Sequence, residues 1–97
     1  MHMKIQYGGN AIVTLEKAEK LLRDQLGDEY VWLLDSDLVF FTIPEVARHA
    51  RMDEYAIRLR CESGEIPGSV RHGGKTGWRI PRSGLILYFA SRLHGVQ

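Results

Sequence analysis

Apolar and polar positions along the chain sort it into helical and extended stretches. Leu15, Ala18, Leu22 and Leu26 recur at helical spacing, with Thr14 ahead of them as an N-cap and Gly27 behind them as a stop. That pattern predicts one amphipathic helix over residues 14–26. The ten residues before it read as loop with at most a short strand, and Gly8-Gly9-Asn10 is a turn signal. Glu29 to Leu34 fits a short helix or a strand equally well. Asp35-Ser36-Asp37 then marks a boundary, and Leu38-Val39-Phe40-Phe41 leads into a second, denser region.

Phe41 to Trp78 is the most strongly punctuated part of the chain. Thr42 and Glu45 have the spacing of a capping box, and Pro44 suits a first helical turn. Val46, Ala47 and Ala50 make one side of this helix apolar and small, so another helix can approach closely. Asp53 is the next N-cap, Ile57 and Cys61 point inward one turn apart, and Gly64 is the C-terminal stop. About three residues separate the two helices, the spacing of a helix-turn-helix. Val70-Arg71 and Trp78-Arg79-Ile80 are β-prone runs around the glycine-rich tip His72-Gly73-Gly74-Lys75-Thr76-Gly77. Pro81 closes the second run, and Pro81-Arg82-Ser83 opens a third helix through about Leu93.

The expected fold is therefore α+β and mostly helical. It is a winged helix-turn-helix, with a two-stranded wing and a C-terminal helix, preceded by a helical extension. Residues 1–37 form the extension and residues 38–97 the winged helix-turn-helix domain. In the last helix Leu85, Tyr88 and Phe89 take the core spacing, which leaves Ile86 and Leu87 facing away. The acidic N-terminal helix is the nearest cover for them; a second copy or a partner protein is the alternative.

Charge changes the picture more than composition does. The 97 residues, 44% hydrophobic and 26% charged, suit one soluble globular domain with no room for a large catalytic cleft. The net charge of +1 conceals two halves. Residues 1–41 carry four cations against seven acids, whereas residues 42–97 carry nine cations, eight of them arginine, against five acids. A basic half calls for a polyanion, and its concentration in the second helix and the hairpin points to nucleic acid.

Three segments resemble one family, the excisionase-type, MerR-like helix-turn-helix proteins. Phe41-Thr42-Ile43-Pro44-Glu45-Val46-Ala47 is similar to its "(L)-T-x-x-E-V-A" first helix. Ser63-Gly64-Glu65-Ile66-Pro67 follows its "S-G-x-(L/I)-P". Val70-Arg71-His72-Gly73-Gly74 with Trp78-Arg79-Ile80-Pro81-Arg82 follows its wing, "V-R-x-G-G-x-W-R-I-P-R". The three occur in the family's order over roughly residues 38 to 93. The chain departs from the pattern in carrying Leu59 where the family has a basic residue and Arg60 where it has an apolar one. It also has Arg51 at a turn position usually held by glycine, and two extra wing residues at Lys75-Thr76. The resemblance implies a protein that binds and bends double-stranded DNA at short repeated sites. It would act as a homo-oligomer on DNA and alongside a recombinase or another protein. The same build also serves transcription regulators, and a protein-interaction module without DNA binding is the further alternative.

Stepping about 100° per residue from Ile57 puts Arg58, Glu62, Tyr55 and Leu59 at roughly 100°, 140°, 160° and 200°. Glu54, Tyr55, Arg58, Leu59 and Glu62 thus make the outward face of the second helix, the face that enters the major groove in this motif. Arg58 matches the two acceptors of guanine, Glu54 the amino group of cytosine, and Tyr55 a phosphate or a thymine methyl. Arg71, His72, Lys75, Thr76 and Arg79 are the contacts expected from the wing, and Arg48 and Arg51 are backbone clamps beside the turn. Arg60 lies at the core edge, where its stem can pack and its head pair with an acid.

Other chemistries fail on spacing. Gly73-Gly74-Lys75-Thr76 has the end of a phosphate-binding loop, but Ser69 stands where the first glycine is needed. His2, His49, His72 and His94 are scattered and the single Cys61 is inward-facing, so no metal site and no disulfide are expected. No nucleophile–base set or paired carboxylates meet the needs of catalysis, so neither an enzyme nor a cofactor is expected. No apolar run nears the ~18 residues of a membrane span. With one cysteine and no secretory leader, the expected location is the cytoplasm. Met1-His2-Met3 reads as an added leader.

Overall fold

The computed structural model describes residues 6–7, 11–12, 14–73 and 77–94. Strands β1 (Gln6–Tyr7) and β2 (Ala11–Ile12) pair antiparallel, Gln6 opposite Ile12. The turn signal at residues 8–10 lies outside the described residues. Thr14 then accepts a hydrogen bond from the Lys17 amide at 3.2 Å and opens α1 (Leu15–Leu26). Gly27 does not end this helix in a left-handed conformation; its φ is −54°. The chain continues through a tight turn, with the Tyr30 amide donating to Leu26 O at 3.2 Å, into the short helix α2 (Val31–Leu34). Of Glu29 to Leu34, the first two residues are thus turn and the rest helix.

Strand β3 (Phe40–Phe41) precedes α3 (Ile43–Ala50), whose start has both halves of the capping box. The Glu45 amide donates to Thr42 Oγ1 at 3.3 Å, and the Thr42 amide donates to Glu45 Oε1 at 2.9 Å. Helix α4 (Glu54–Ser63) follows, with Asp53 at its N-cap position but making no side-chain capping bond. Gly64 ends α4 at φ 85°, and its amide reaches back to the last turn. Strands β4 (Val70–Arg71) and β5 (Trp78–Pro81) pair antiparallel, Arg71 opposite Trp78, and lead into α5 (Arg82–His94).

The five helices among the described residues pack with a three-stranded antiparallel sheet of order β3-β5-β4. Its third strand came from the apolar run before α3: Phe41 pairs with Ile80 and Phe40 with Pro81. Pro81 has no amide to give, and the next donor, Arg82 N, bonds to Val39 O at 2.8 Å.

Among the described residues one hydrophobic core runs from α1 to α5. Ala18 and Leu22 of α1, Leu33 and Leu34 of α2, Val46 of α3 and Ile57 of α4 join Ile80, Leu85 and Phe89. The connection at residues 35–39 is largely exposed, but the core extends on both sides of it. Helix α1 lies along α5, and there Ile86 is fully buried and Leu87 partly so. Burying a side chain such as Leu22 or Ile86 contributes about 1.5–3 kcal/mol. The stripe of α1 is rotated from the expected one, because Leu21 packs on the core whereas Leu15 is 39% exposed. Gly84 permits the seat of α5, since a Cβ there would collide with the carbonyl oxygen of Pro67.

Candidate nucleic-acid interface

Helix α4 sets the site because its buried side is so short. Ile57 and Cys61 alone are fully buried on it, which leaves the remaining faces to solvent or to the neighbouring hairpin. Tyr55 and Leu59, one turn apart, are 62% and 40% exposed, and Glu54 and Glu62 are exposed as well. Arg58 is half-buried. With Glu54 it lines a groove of about 440 Å³ bounded by Thr42 and Pro44 at the start of α3 and by Trp78 of β5.

Trp78 joins the helix to the hairpin. The Arg71 guanidinium lies 5.7 Å from the Trp78 ring centroid, and Trp78 also lines the groove with Arg58. Arg79 lies 5.8 Å from the Phe40 ring centroid and 3.3 Å from His72 Nε2. Arginine can only donate, so His72 Nε2 is the acceptor in this contact. The His72 amide donates to Gly77 O at 2.8 Å and holds the base of the tip. Lys75 and Thr76 lie outside the described residues.

Arg48 is exposed on α3, and Arg51 stands apart from this group. Arg51 ends α3 in the left-handed region, at φ 59° and ψ 44°, alone among the described non-glycine residues in having positive φ. It lines a separate cleft of about 420 Å³ with Asp28, Glu29, Trp32 and His49. His49 stacks on Trp32 at 5.0 Å with the rings 8° from parallel, a packing role at the end of α3.

The arginines also divide by whether an acid neutralises them. Among the described residues Arg48, Arg51, Arg58, Arg71 and Arg79 make no ion pair. Arg60, by contrast, donates to the Tyr88 hydroxyl at 3.0 Å and pairs with Glu65 at 3.4 Å. The hydrogen bond to Tyr88 holds its guanidinium above the ordinary arginine range. Arg82 pairs with Glu19 at 3.2 Å and donates to Leu33 O at 2.8 Å and to Leu34 O. Periodicity carried no sign of this clamp, nor of Phe40 as a platform for Arg79, since both depend on residues more than a helix apart in sequence. Cys61 is buried, and burial pushes its thiol up, which disfavours the thiolate. Among the described residues no His, Cys, Asp or Glu cluster suits a metal, and no helix is long and apolar enough to cross a membrane.

Comparisons with family models, with curated proteins and with solved structures each found no match to the chain.

Proposed function

We propose that this chain is a winged helix-turn-helix protein that binds double-stranded DNA with sequence preference. Helices α3 and α4 are the helix-turn-helix, α4 enters the major groove, and the β4–β5 hairpin is the wing. Within that class the reading is excisionase-like: adjacent copies on short repeated sites, bending the duplex beside a recombinase. The motif resemblance at residues 41–47, 63–67 and 70–82 supports the family.

One observation carries the DNA reading. Among the described residues Arg48, Arg51, Arg58, Arg71 and Arg79, on α3, α4, the hairpin and the turn between the helices, lack an acidic partner, as does Arg92 on α5, while Arg23, Arg60 and Arg82 have one. Unneutralised cations repel one another and gain most from a polyanion. Stacking of Arg71 and Arg79 on aromatic rings orders two of them in advance, which lowers the entropy lost on binding phosphate. Arg58, beside the exposed face of α4, is the base-reading residue, and the hairpin arginines hold backbone or enter the minor groove.

The test is fluorescence anisotropy with a random-sequence duplex pool across salt, followed by sequencing of the bound fraction. The expected result is a log–log salt slope of roughly −0.9 per phosphate neutralised, with an enriched motif. Repeats within that motif favour the excisionase-like role, and a single isolated site favours the transcription regulator. Arg58→Ala should flatten the motif at one position. Absence of salt-dependent binding would leave the fold serving a protein partner instead.

A further inference from the structure

We infer that Tyr55 and Leu59 of α4 read thymine methyl groups, which makes them the specificity-determining pair of the interface. The inference rests on the DNA-binding reading above.

The two side chains are the large apolar groups on α4 that remain exposed, at 62% and 40%. They stand four residues apart, so they form one stripe with a rise of about 6 Å along the helix. Isolated exposed apolar residues are ordinary. Here, however, two of them form a ridge flanked along one side by acidic Glu54 and Glu62 and by Arg58, which has no ion pair among the described residues. Charge selects what can cover this ridge. A second copy would bring the same unpaired arginines against it, and a neutral apolar partner would leave those arginines without counter-charge. A duplex meets both needs. Its phosphates answer the arginines, and its major groove offers one prominent apolar feature, the thymine C5-methyl. A 6 Å ridge spans roughly two base steps at 3.4 Å each. The ridge therefore fits thymines within two steps of each other, with Arg58 directed to a guanine alongside. Acidic Glu54 and Glu62 disfavour phosphate on this face, which pushes the ridge toward the bases.

The experiment uses the full chain and the duplex enriched from the random pool. Each central thymine is replaced in turn by deoxyuridine, which removes the methyl and keeps the pairing edge. Affinities are measured by anisotropy for the wild type, Leu59→Ala, Tyr55→Ala and Tyr55→Phe. Both positions are exposed, and alanine favours helix, so the fold tolerates the changes. The expected result is a loss of about three- to fivefold per contacted methyl in the wild type. That loss should vanish at one thymine in Leu59→Ala and at another in Tyr55→Ala, while Tyr55→Phe retains it. Enriched sites without central thymine would overturn the inference and leave the DNA reading intact. So would equal affinity for thymine and deoxyuridine duplexes with the salt dependence preserved. A uracil effect that persists in both alanine variants would assign the preference to DNA shape and overturn it too. No salt-dependent binding to any duplex would overturn the inference together with the reading beneath it.

Discussion

On the α1–α2 side of the molecule, Arg23 is held by Glu19 at 4.0 Å and Asp35 at 3.3 Å, and Arg82 by Glu19 and two carbonyl oxygens. On the α3–α4–hairpin side, Arg58 meets no carboxylate, although Glu54 and Glu62 lie one turn away on either side of it. Arg71 and Arg79 rest on aromatic rings instead of acids. The contrast separates two uses of one residue type. Where arginine satisfies the end of a helix and a partly buried acid, it holds the fold. Where it stands unpaired at the surface, it adds little to stability and leaves charge available to a ligand. The acidic extension belongs to the first use: it supplies Glu19 and Asp35 and covers α5.

The contrast predicts that stability and DNA affinity respond to different arginines. Arg82→Ala has the largest expected effect, a loss of about 2–3 kcal/mol in urea unfolding, because the carbonyls of Leu33 and Leu34 and the Glu19 carboxylate all lose their donor. Arg82→Lys should recover little of it, since a single ammonium cannot reproduce the forked geometry. Next come Arg71→Ala and Arg79→Ala. Each should weaken binding to every duplex by about tenfold and reduce the salt slope by about one, while unfolding changes by no more than about 1 kcal/mol. A hairpin variant that unfolds the protein would break the comparison.

Arg51→Gly should split the two readouts. It relieves the left-handed backbone at φ 59° and should raise stability by roughly 0.5–1 kcal/mol, yet it removes one of the unpaired cations and should weaken DNA binding. If affinity is unchanged, Arg51 belongs with the acidic cleft of Asp28 and Glu29 rather than with the interface. Arg60→Met has the smallest expected effect: it keeps the packed stem, loses the bond to Tyr88, and should cost at most about 1 kcal/mol with no change in DNA affinity.

Much of the local structure was legible because it depends on neighbours in sequence. Thr42 and Glu45 cap α3 reciprocally, Gly64 terminates α4, and Ile57 and Cys61 face the core, each through contacts within one helical turn. Asp53 shows the limit of such signals, since it holds the cap position without the bond. At the candidate site the outward placement of Tyr55 and Leu59 followed from helical periodicity, and the pairing of Arg60 with an acid from its place at the core edge. The groove that Arg58 shares with Trp78 did not, because it forms between elements twenty residues apart.

By itself, then, the sequence determined where the four longer helices start and stop, the hairpin runs, the basic second half and the need for Ile86 to be covered. These are consequences of periodicity, capping chemistry and composition, all local or additive along the chain. Only the tertiary structure decided that α1 supplies the cover, that Phe40–Phe41 completes a three-stranded sheet, and that Arg82 ties α1 and α2 to α5. Only it separated the paired arginines from the unpaired ones. Whether a cation is neutralised depends on which acid lies within about 4 Å, and that is set by chain folding across distances that no local pattern records.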